Sequence, residues 1–439
     1  MTTTRKGIDY DSLVLEDRVH GSVYTDSAIF EEEIDKIFHS WWVYIGHESE
    51  IPESGDYRLT WIGRQSVIMA RDETGTVQLF MNRCRHRANA VCQYEKGNAS
   101  FFRCWYHGWT YSNKGDLIGV PFPSRYDPPL DKADYGLTKV PRMGIYRGFI
   151  FGSLSASGIS LDDHLGHAKA SLDAFIDASP NGQIVVRSGV HKGVYKGNWK
   201  FVGMDGYHPS FTHKAVNDLM QLKESGYAGA ANYQPKDTLL PSRTLEAAFG
   251  EHSPNKAWDL GGGHVRLDIW PIKRAGMDGV IERLSATEAG KSYLAAMEQT
   301  YGQEMAREHI AIQDPHVGIW PNLQLIGVQI RVIRPLSVGE TEVLMYPTGL
   351  AGVPEEINEH RLRDHEWFYG PASFGSPDDA EMFERNQMGL SAQVDPWVLL
   401  SRGLKDEVKH DDGTIMGGIT DETTQRGQLI HWKKVMSGG

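Results

Sequence analysis

Cysteine is nearly absent. The 439-residue chain has three, Cys84, Cys92 and Cys104, all within one short span. So few, and an odd number, exclude the disulfide framework of a small secreted domain and leave at least one thiol unpaired. Thiols gathered this way are better judged as metal ligands. Positive charge is also short: 45 Lys plus Arg against 57 Asp plus Glu leave a formal charge of −12. That argues against a nucleic-acid surface, because phosphate binding needs a positive footprint. No apolar run reaches membrane-spanning length, and the start, MTTTRKGIDYDSLVLEDRVHG, lacks the apolar stretch of a signal peptide. The expectation is a soluble, intracellular, cytoplasmic protein with no nucleic-acid or membrane partner.

What remains is ordinary globular material, with 40% apolar residues, 23% charged residues and twelve tryptophans. The length allows two or three domains. Residues 28–41, AIFEEEIDKIFHSW, put Ile29, Phe30, Ile34, Ile37 and Phe38 on one helical face. From about 42 to 155 the runs SVIMA, TVQLF and GFIFGSL alternate with Gly, Pro and Asp turns, as in a small antiparallel domain. Residues 162–175 read as helix again. Beyond them GQIVVRSGVHKGVYKGNWKF and NLQLIGVQIRVIRPLSVGETEVLMY read as strands, and PEEINEHRLRDHEWF as a polar-faced helix. The fold class expected is α+β: a small all-β domain inserted near the N-terminus of a larger domain built on an antiparallel sheet with helices. The divisions fall at 1–41, 42–158 and 159–439.

Cys84 and His86 form C-x-H, and Cys104 and His107 form C-x₂-H. Two short pairs on separate loops can converge on one metal centre. Zinc suits two thiolates and two imidazoles, although a one-residue spacer is shorter than zinc hairpins use. A Rieske [2Fe–2S] cluster suits them better: thiolates hold one iron, imidazoles hold the other, and neutral imidazoles raise the potential. Two turns with incidental histidines are the bland alternative. Cys92 is then left as a small buried hydrophobe. Phe101, Phe102, Trp105, Tyr106 and Trp109 are expected to form core or to limit water access to the cluster.

The stretch NWKFVGMDGYHPSFTHK, residues 198–214, presents Asp205, His208 and His213. Five residues apart, the two histidines would diverge on a regular helix. Pro209 disfavours helical geometry at His208, so the chain is expected to break there and let both rings converge. Two imidazoles and a carboxylate make the open facial triad of mononuclear non-haem Fe(II) oxygenases. In YGPASFGSPDDAEMFERNQ, Ser376 reads as an N-cap, Pro377 as the first helical residue, and Asp378 and Asp379 as its first turn. Adjacent helical residues point about 100° apart, so one of the two aspartates is expected to reach a metal; both also suit a helix N-terminus. Asp205 could itself ligate, or accept hydrogen bonds from a cluster histidine and an iron histidine and so join the centres.

Over nearly its whole length the chain resembles the large, α subunit of Rieske-type aromatic-ring-hydroxylating dioxygenases. The resemblance rests on the two Cys/His pairs, NWK at 198, Asp205-x₂-His208-x₄-His213, GPASFGSPDD from 370, and SRGLKDEV with DETTQRGQLIHWKKVM near the C-terminus. It implies that Cys84, His86, Cys104 and His107 bind the cluster, that His208, His213 and Asp379 hold Fe(II), and that Asp205 bridges the centres. It further implies an α₃ or α₃β₃ ring in which the cluster of one α subunit serves the iron of its neighbour, with a small β subunit in the second case. Electrons would come from NAD(P)H through a separate reductase, with or without a ferredoxin. This sequence has no Gly-rich dinucleotide fingerprint and no plant-type four-cysteine pattern, as suits a terminal oxygenase.

The implied activity is insertion of both atoms of O₂ into an aromatic ring by cis-dihydroxylation. A Rieske monooxygenase that hydroxylates or demethylates, an electron-transfer Rieske protein without catalytic iron, and a zinc-stabilised module are the competing readings. Two departures stand out: only FVGM separates NWK from Asp205, and Ala88 stands where the family favours glycine. SFGSPDD is similar to branches acting on aromatic acids. Such a substrate needs a cation in an otherwise apolar pocket, and Arg331, Arg334 and Lys200 are available, each also readable as a structural or surface charge.

Overall fold

The computed structural model describes residues 8–186, 189–209, 213, 253–373 and 375–438, with Asp205 described for its backbone alone. The chain divides into two compact units, Ile34–Leu161 and a second made of Met1–Glu33 and Asp162–Gly439.

In the first unit the apolar run Val67–Ala70 explains the layering. Strand Gln65–Arg71 pairs antiparallel with Asp56–Ile62 and Val77–Met81, and Lys96–Asn98 extends the sheet. Side chains alternate along a strand, so Val67 and Met69 enter one core with Val43, Ile45 and Ile150. Ile68 and Ala70 enter another with Phe80, Phe102, Trp109 and all three cysteines. A strand covered on both faces must be apolar throughout, and this one is. Two three-stranded antiparallel sheets complete the unit: Arg142–Tyr146, Phe149–Ser153 and Val43–His47, and Phe101–Arg103, Thr110–Ser112 and Leu117–Gly119. Cys92 is 6% exposed within the core, as expected for a spare thiol.

The second unit is built on nine described antiparallel strands. In spatial order they are His191–Tyr195, Glu340–Pro347, Gln329–Ser337, Leu323–Ile326, His316–Ile319, His264–Asp268, Lys256–Gly261, Ile415–Gly418 and Val408–Lys409. Helices include Glu355–Tyr369, Gly375–Gly389 and the C-terminal Thr423–Met436. The small all-β unit near the N-terminus and the larger sheet with helices are the expected fold class. Ile29, Phe30, Ile34, Ile37 and Phe38 are all buried, but the expected helix is α over Ser27–Glu33 and π over Ile34–Phe38.

Candidate functional site

The two Cys/His loops of the first unit share one hydrogen-bond pattern. Ala88 N–H donates to Cys84 O at 3.0 Å and Cys84 N–H to Asn89 O at 2.8 Å; Gly108 and Trp109 play the same parts around Cys104, at 3.0 and 2.8 Å. Both loops therefore turn through a left-handed residue at the same place, Ala88 with φ 60° and Gly108 with φ 72°. Glycine takes that conformation freely and alanine at a cost, so the substitution noted in the sequence leaves the turn in place.

These turns sort the side chains by type. Cys84 and Cys104 are 1% and 2% exposed, whereas His86 and His107 are half-buried, with ring centroids 4.8 Å apart. His86 stacks on Trp109 at 5.1 Å and 5°, and its Nδ1 is buried without a hydrogen-bond partner among the described residues. A bare, fixed acceptor is what a metal ligand requires. Tyr111 Oη accepts the Arg85 N–H at 3.0 Å, which leaves its own proton for Cys84 Sγ at 3.3 Å. Asn89 Nδ2 lies 3.6 Å from Cys104 Sγ. Burial pushes both thiols up. At Cys104 hydrogen bonds from the backbone N–H groups of Tyr106 and His107, with those from the side chains of Asn89 and Cys84, together outweigh it and the net shift is downward, whereas Cys84 stays raised.

Among the described residues, two sets of His, Cys, Asp or Glu bring their donor atoms within 4.8 Å of one another: His208, His213 and Asp379, and His191, His365 and Glu366. The Cys/His quartet is not one of them. A single tetrahedral zinc, with bonds of about 2.0–2.3 Å, would hold its donors within about 4 Å of each other; the wider quartet fits a two-iron cluster. The aromatic surround is mixed. Phe102 and Trp109 are buried, but Phe101, Trp105 and Tyr106 are 51%, 65% and 60% exposed, because strand Phe101–Arg103 turns alternate residues outward and Trp105 and Tyr106 ride the loop.

In the second unit the NWK segment is anchored from both ends of the chain. Asn198 Nδ2 donates to Tyr24 O and Val338 O, and its Oδ1 accepts the Lys200 N–H. Lys200 Nζ meets Glu33 Oε1 at 2.5 Å with both side chains fully buried. Trp199 and Trp432 donate their indole N–H groups to the same carboxylate at 2.8 and 2.7 Å. A π-helix, Phe201–Asp205, follows and is capped by Gly206, which keeps right-handed helical dihedrals; the helix ends three residues before His208, where the break was expected. The carbonyls freed at this end are taken by distant side chains: Val202 O by Gln324 Nε2, Gly203 O by Gln428 Nε2, and Tyr207 O by Thr424 Oγ1. Single-turn π segments recur at functional sites.

His208 and His213 do converge, with Nε2 atoms 2.5 Å apart. His213 Nδ1 meets Asp378 Oδ2 at 2.6 Å and lies 3.7 Å from Asp379 Oδ1. One aspartate thus orients the ring while its neighbour joins the donor set. Burial pushes the Asp379 carboxyl up, against the pull of His208, Arg331 and His213. The helix carrying both starts at Gly375, so Ser376 lies within the first turn and is not its cap. Its hydroxyl faces Arg331 and Met345. The Asp205 side chain, expected to bridge the centres, lies outside the described residues.

Beside Asp379 lies a cavity of about 170 Å³ walled by Val202, Val343, Met345 and Phe383 and also lined by Arg331. Of the three cations considered from the sequence, Lys200 is held by Glu33, Arg334 Nη1 pairs with Glu342 at 3.0 Å, and Arg331 faces the cavity. Sequence reasoning missed Gln324, Thr424 and Gln428 as supports of the iron segment, and Asp378 as a ring orienter. Thr424 and Gln428 lie four apart and share one face of the C-terminal helix.

An iron–sulfur domain joined to a two-histidine, one-carboxylate site defines an oxidoreductase, and known proteins similar to this chain agree. Residues 41–141 match the Rieske [2Fe-2S] domain family. The chain is 31% identical to the 2-halobenzoate 1,2-dioxygenase large subunit of Burkholderia cepacia, over 96% of this chain and 90% of that one. It is 33% identical to the anthranilate 1,2-dioxygenase large subunit of Acinetobacter baylyi, over 88% and 80%. Its structure is similar to that of naphthalene 1,2-dioxygenase from Rhodococcus sp. bound to indole, with a TM-score of 0.75, 27% identity and 95% and 94% coverage. The chain belongs to the large, α subunits of Rieske-type aromatic-ring-hydroxylating dioxygenases. The cofactors are accordingly a Rieske cluster and mononuclear iron, with O₂ as co-substrate; electrons from NAD(P)H through a reductase are typical of the family. No helix among the described residues is long and apolar enough to cross a membrane.

Proposed function

We propose that this protein is the terminal oxygenase that adds both atoms of O₂ to the ring of an aromatic carboxylate, giving a cis-dihydrodiol. The observation that carries the reading is the convergence of His208, His213 and Asp379 at the edge of an apolar cavity. Both of the relatives named above as large subunits are named for aromatic acids.

The donor sets fit the groups assigned to them. Cys84 and Cys104 would hold one iron of the cluster and His86 and His107 the other; His208, His213 and Asp379 would hold Fe(II), and Asp205 would link the two centres. When bound, the cluster supplies single electrons and the ferrous iron an open position for O₂. The chain's own residues do the positioning. Asp378 accepts the Nδ1–H of His213 and fixes the tautomer that leaves Nε2 bare. Gln324 and Gln428 take carbonyls of the π-helix and Thr424 that of Tyr207, fixing the segment that leads to His208. Val202, Val343, Met345 and Phe383 seat a ring and exclude water. The functional division follows 42–158 for the cluster domain and 159–439 with the first 41 residues for the catalytic one.

Labelled O₂ with benzoate, 2-halobenzoate and anthranilate tests the reading. Two labelled atoms in the product support it; one would make the protein a monooxygenase. Asp205→Asn should keep the cluster and slow its reoxidation when substrate and O₂ are present. The assembly proposed is an α₃ or α₃β₃ ring in the cytoplasm, served by a reductase with or without a ferredoxin; native mass measurement distinguishes the two rings.

A further inference from the structure

The cavity contains a fixed cation that no carboxylate among the described residues ion-pairs. Arg331 lies in strand Gln329–Ser337 between Gln324 and Met345 of the neighbouring strands and is 5% exposed. Its contacts are weak: Nη2 is 3.4 Å from Ser376 Oγ, and the guanidinium lies 5.7 Å from the Tyr369 ring centroid. Its Nε is buried without a hydrogen-bond partner among the described residues. It forms no ion pair with a carboxylate among the described residues. A buried charge left this way is costly unless something pairs with it.

The neighbours do not supply that partner. Asp379, the carboxylate that lines the cavity, belongs to the iron donor set. His365 is held neutral at pH 7, its pKa pushed down to about 4 by burial, then by His191 and Arg331, so it neither pairs with the guanidinium nor competes for an anion. Lys192, also at the cavity, is exposed. The rest of the wall is largely apolar, which suits a ring. A planar fork of N–H donors matches a carboxylate through two parallel bonds. A cavity of about 150 Å³ holds benzene, so about 170 Å³ suits one ring with a small substituent.

We propose that Arg331 binds the substrate carboxylate and thereby selects single-ring aromatic acids, orienting the ring with its far edge toward the iron ligands. This rests on the reading of the site as a ring-oxygenating centre. The guanidinium touches the substrate away from the reacting carbons, so it governs which arene is taken and how it lies.

The test uses the reconstituted holoenzyme with benzoate, benzamide and toluene, in titration calorimetry and steady-state turnover. Wild type should bind benzoate at least about ten-fold more tightly than benzamide, which has nearly the same shape without the charge. Arg331→Met should weaken benzoate binding on the order of 100-fold and raise its KM correspondingly, with toluene bound as well as before or better. Arg331→Lys should fall between, keeping charge without the fork. Equal benzoate affinity in wild type and Arg331→Met overturns the proposal, as does a wild type that does not prefer benzoate to benzamide. That second comparison decides the matter even if the methionine variant does not fold. An enzyme that hydroxylates toluene and ignores benzoate removes the role of Arg331 and leaves ring oxygenation standing. One that binds benzoate through Arg331 yet oxygenates no arene does the reverse.

Discussion

The cluster loops and the iron segment solve the same problem, the fixing of metal ligands, by opposite means. Each cluster loop closes on itself through backbone hydrogen bonds four and five residues apart, around Cys84 and around Cys104. The iron segment is held from far away: Val202 O by a residue 122 positions on, Tyr207 O by one 217 on and Gly203 O by one 225 on. His213 and the aspartate that orients it are 165 residues apart. A locally closed loop carries its instructions in a few adjacent residues. A distributed site depends on the whole fold being right first, so it should be the more fragile of the two.

The largest expected effect follows directly. Asp379→Ala should remove the mononuclear iron and abolish turnover while leaving the [2Fe–2S] spectrum nearly unchanged. Asp378→Ala should keep some iron, with metal affinity down about 10–100-fold, the usual cost of losing a ring-orienting partner. Metal analysis with electron paramagnetic resonance separates these; iron lost only in Asp378→Ala would put the ligand one residue earlier.

Acid should widen the contrast. Burial depresses His264 and His365 to about 4 and His316 and His431 to about 3 in the larger unit, against His47, at about 4, in the smaller. The native state keeps these rings neutral and the unfolded state protonates them below about pH 6.5. Their contribution is therefore present above that pH and lost as pH falls toward the folded values. Of the rings depressed to about 3 or 4 the larger unit holds four and the smaller one, with His39 and His86 of the smaller unit lowered as well, so the larger unit should lose the more stability. Hydrogen exchange resolved by unit, at pH 7 and pH 5, measures this; parallel losses would contradict it.

Next comes the buried pair. Lys200→Met leaves Glu33 charged and buried, at a cost of about 3–5 kcal/mol, read as a drop in the unfolding free energy. Adding Glu33→Leu should recover part of it, and not all, because the indoles of Trp199 and Trp432 lose their acceptor. Gln428→Leu strips one carbonyl of its donor and should cost about 1–3 kcal/mol, together with weaker iron retention and an unaltered cluster.

The smallest effect probes the local design. Ala88→Gly should stabilise the first loop by about 0.5–1 kcal/mol, since a left-handed alanine costs roughly 1–2 kcal/mol and glycine gives some of that back in entropy. Gly108→Ala should do the opposite, worsened by Pro121 Cγ 3.3 Å from the new Cβ. Thermal melting of the cluster-loaded protein reads both.

The physics of short range made much of this protein legible in its sequence. Cysteine scarcity, the two Cys/His spacings and the alternation of apolar runs with turns all report interactions between near neighbours. The expectations of a small all-β unit, of Cys84 and Cys104 as metal ligands and of Cys92 as a buried hydrophobe came from them. The proline after His208 announced a break there, because a proline constrains the residue before it, although the helix already ends at Asp205. What sequence could not decide was which of several equivalent side chains would meet a distant partner. Lys200, Arg331 and Arg334 look alike as letters, and the tertiary structure gives one to Glu33, another to Glu342 and leaves the third facing the cavity. Asp378 and Asp379 are adjacent and identical in chemistry, and the helix phase alone makes one an orienter of His213 and the other a member of the donor set. Trp105 and Phe102 are both aromatic beside the thiols, and the pleat and loop path turn one outward and the other in. Periodicity and ligand spacing are properties of neighbouring residues; the fate of a charge depends on what the rest of the chain brings against it, and that is settled only when the sheet and helices have closed.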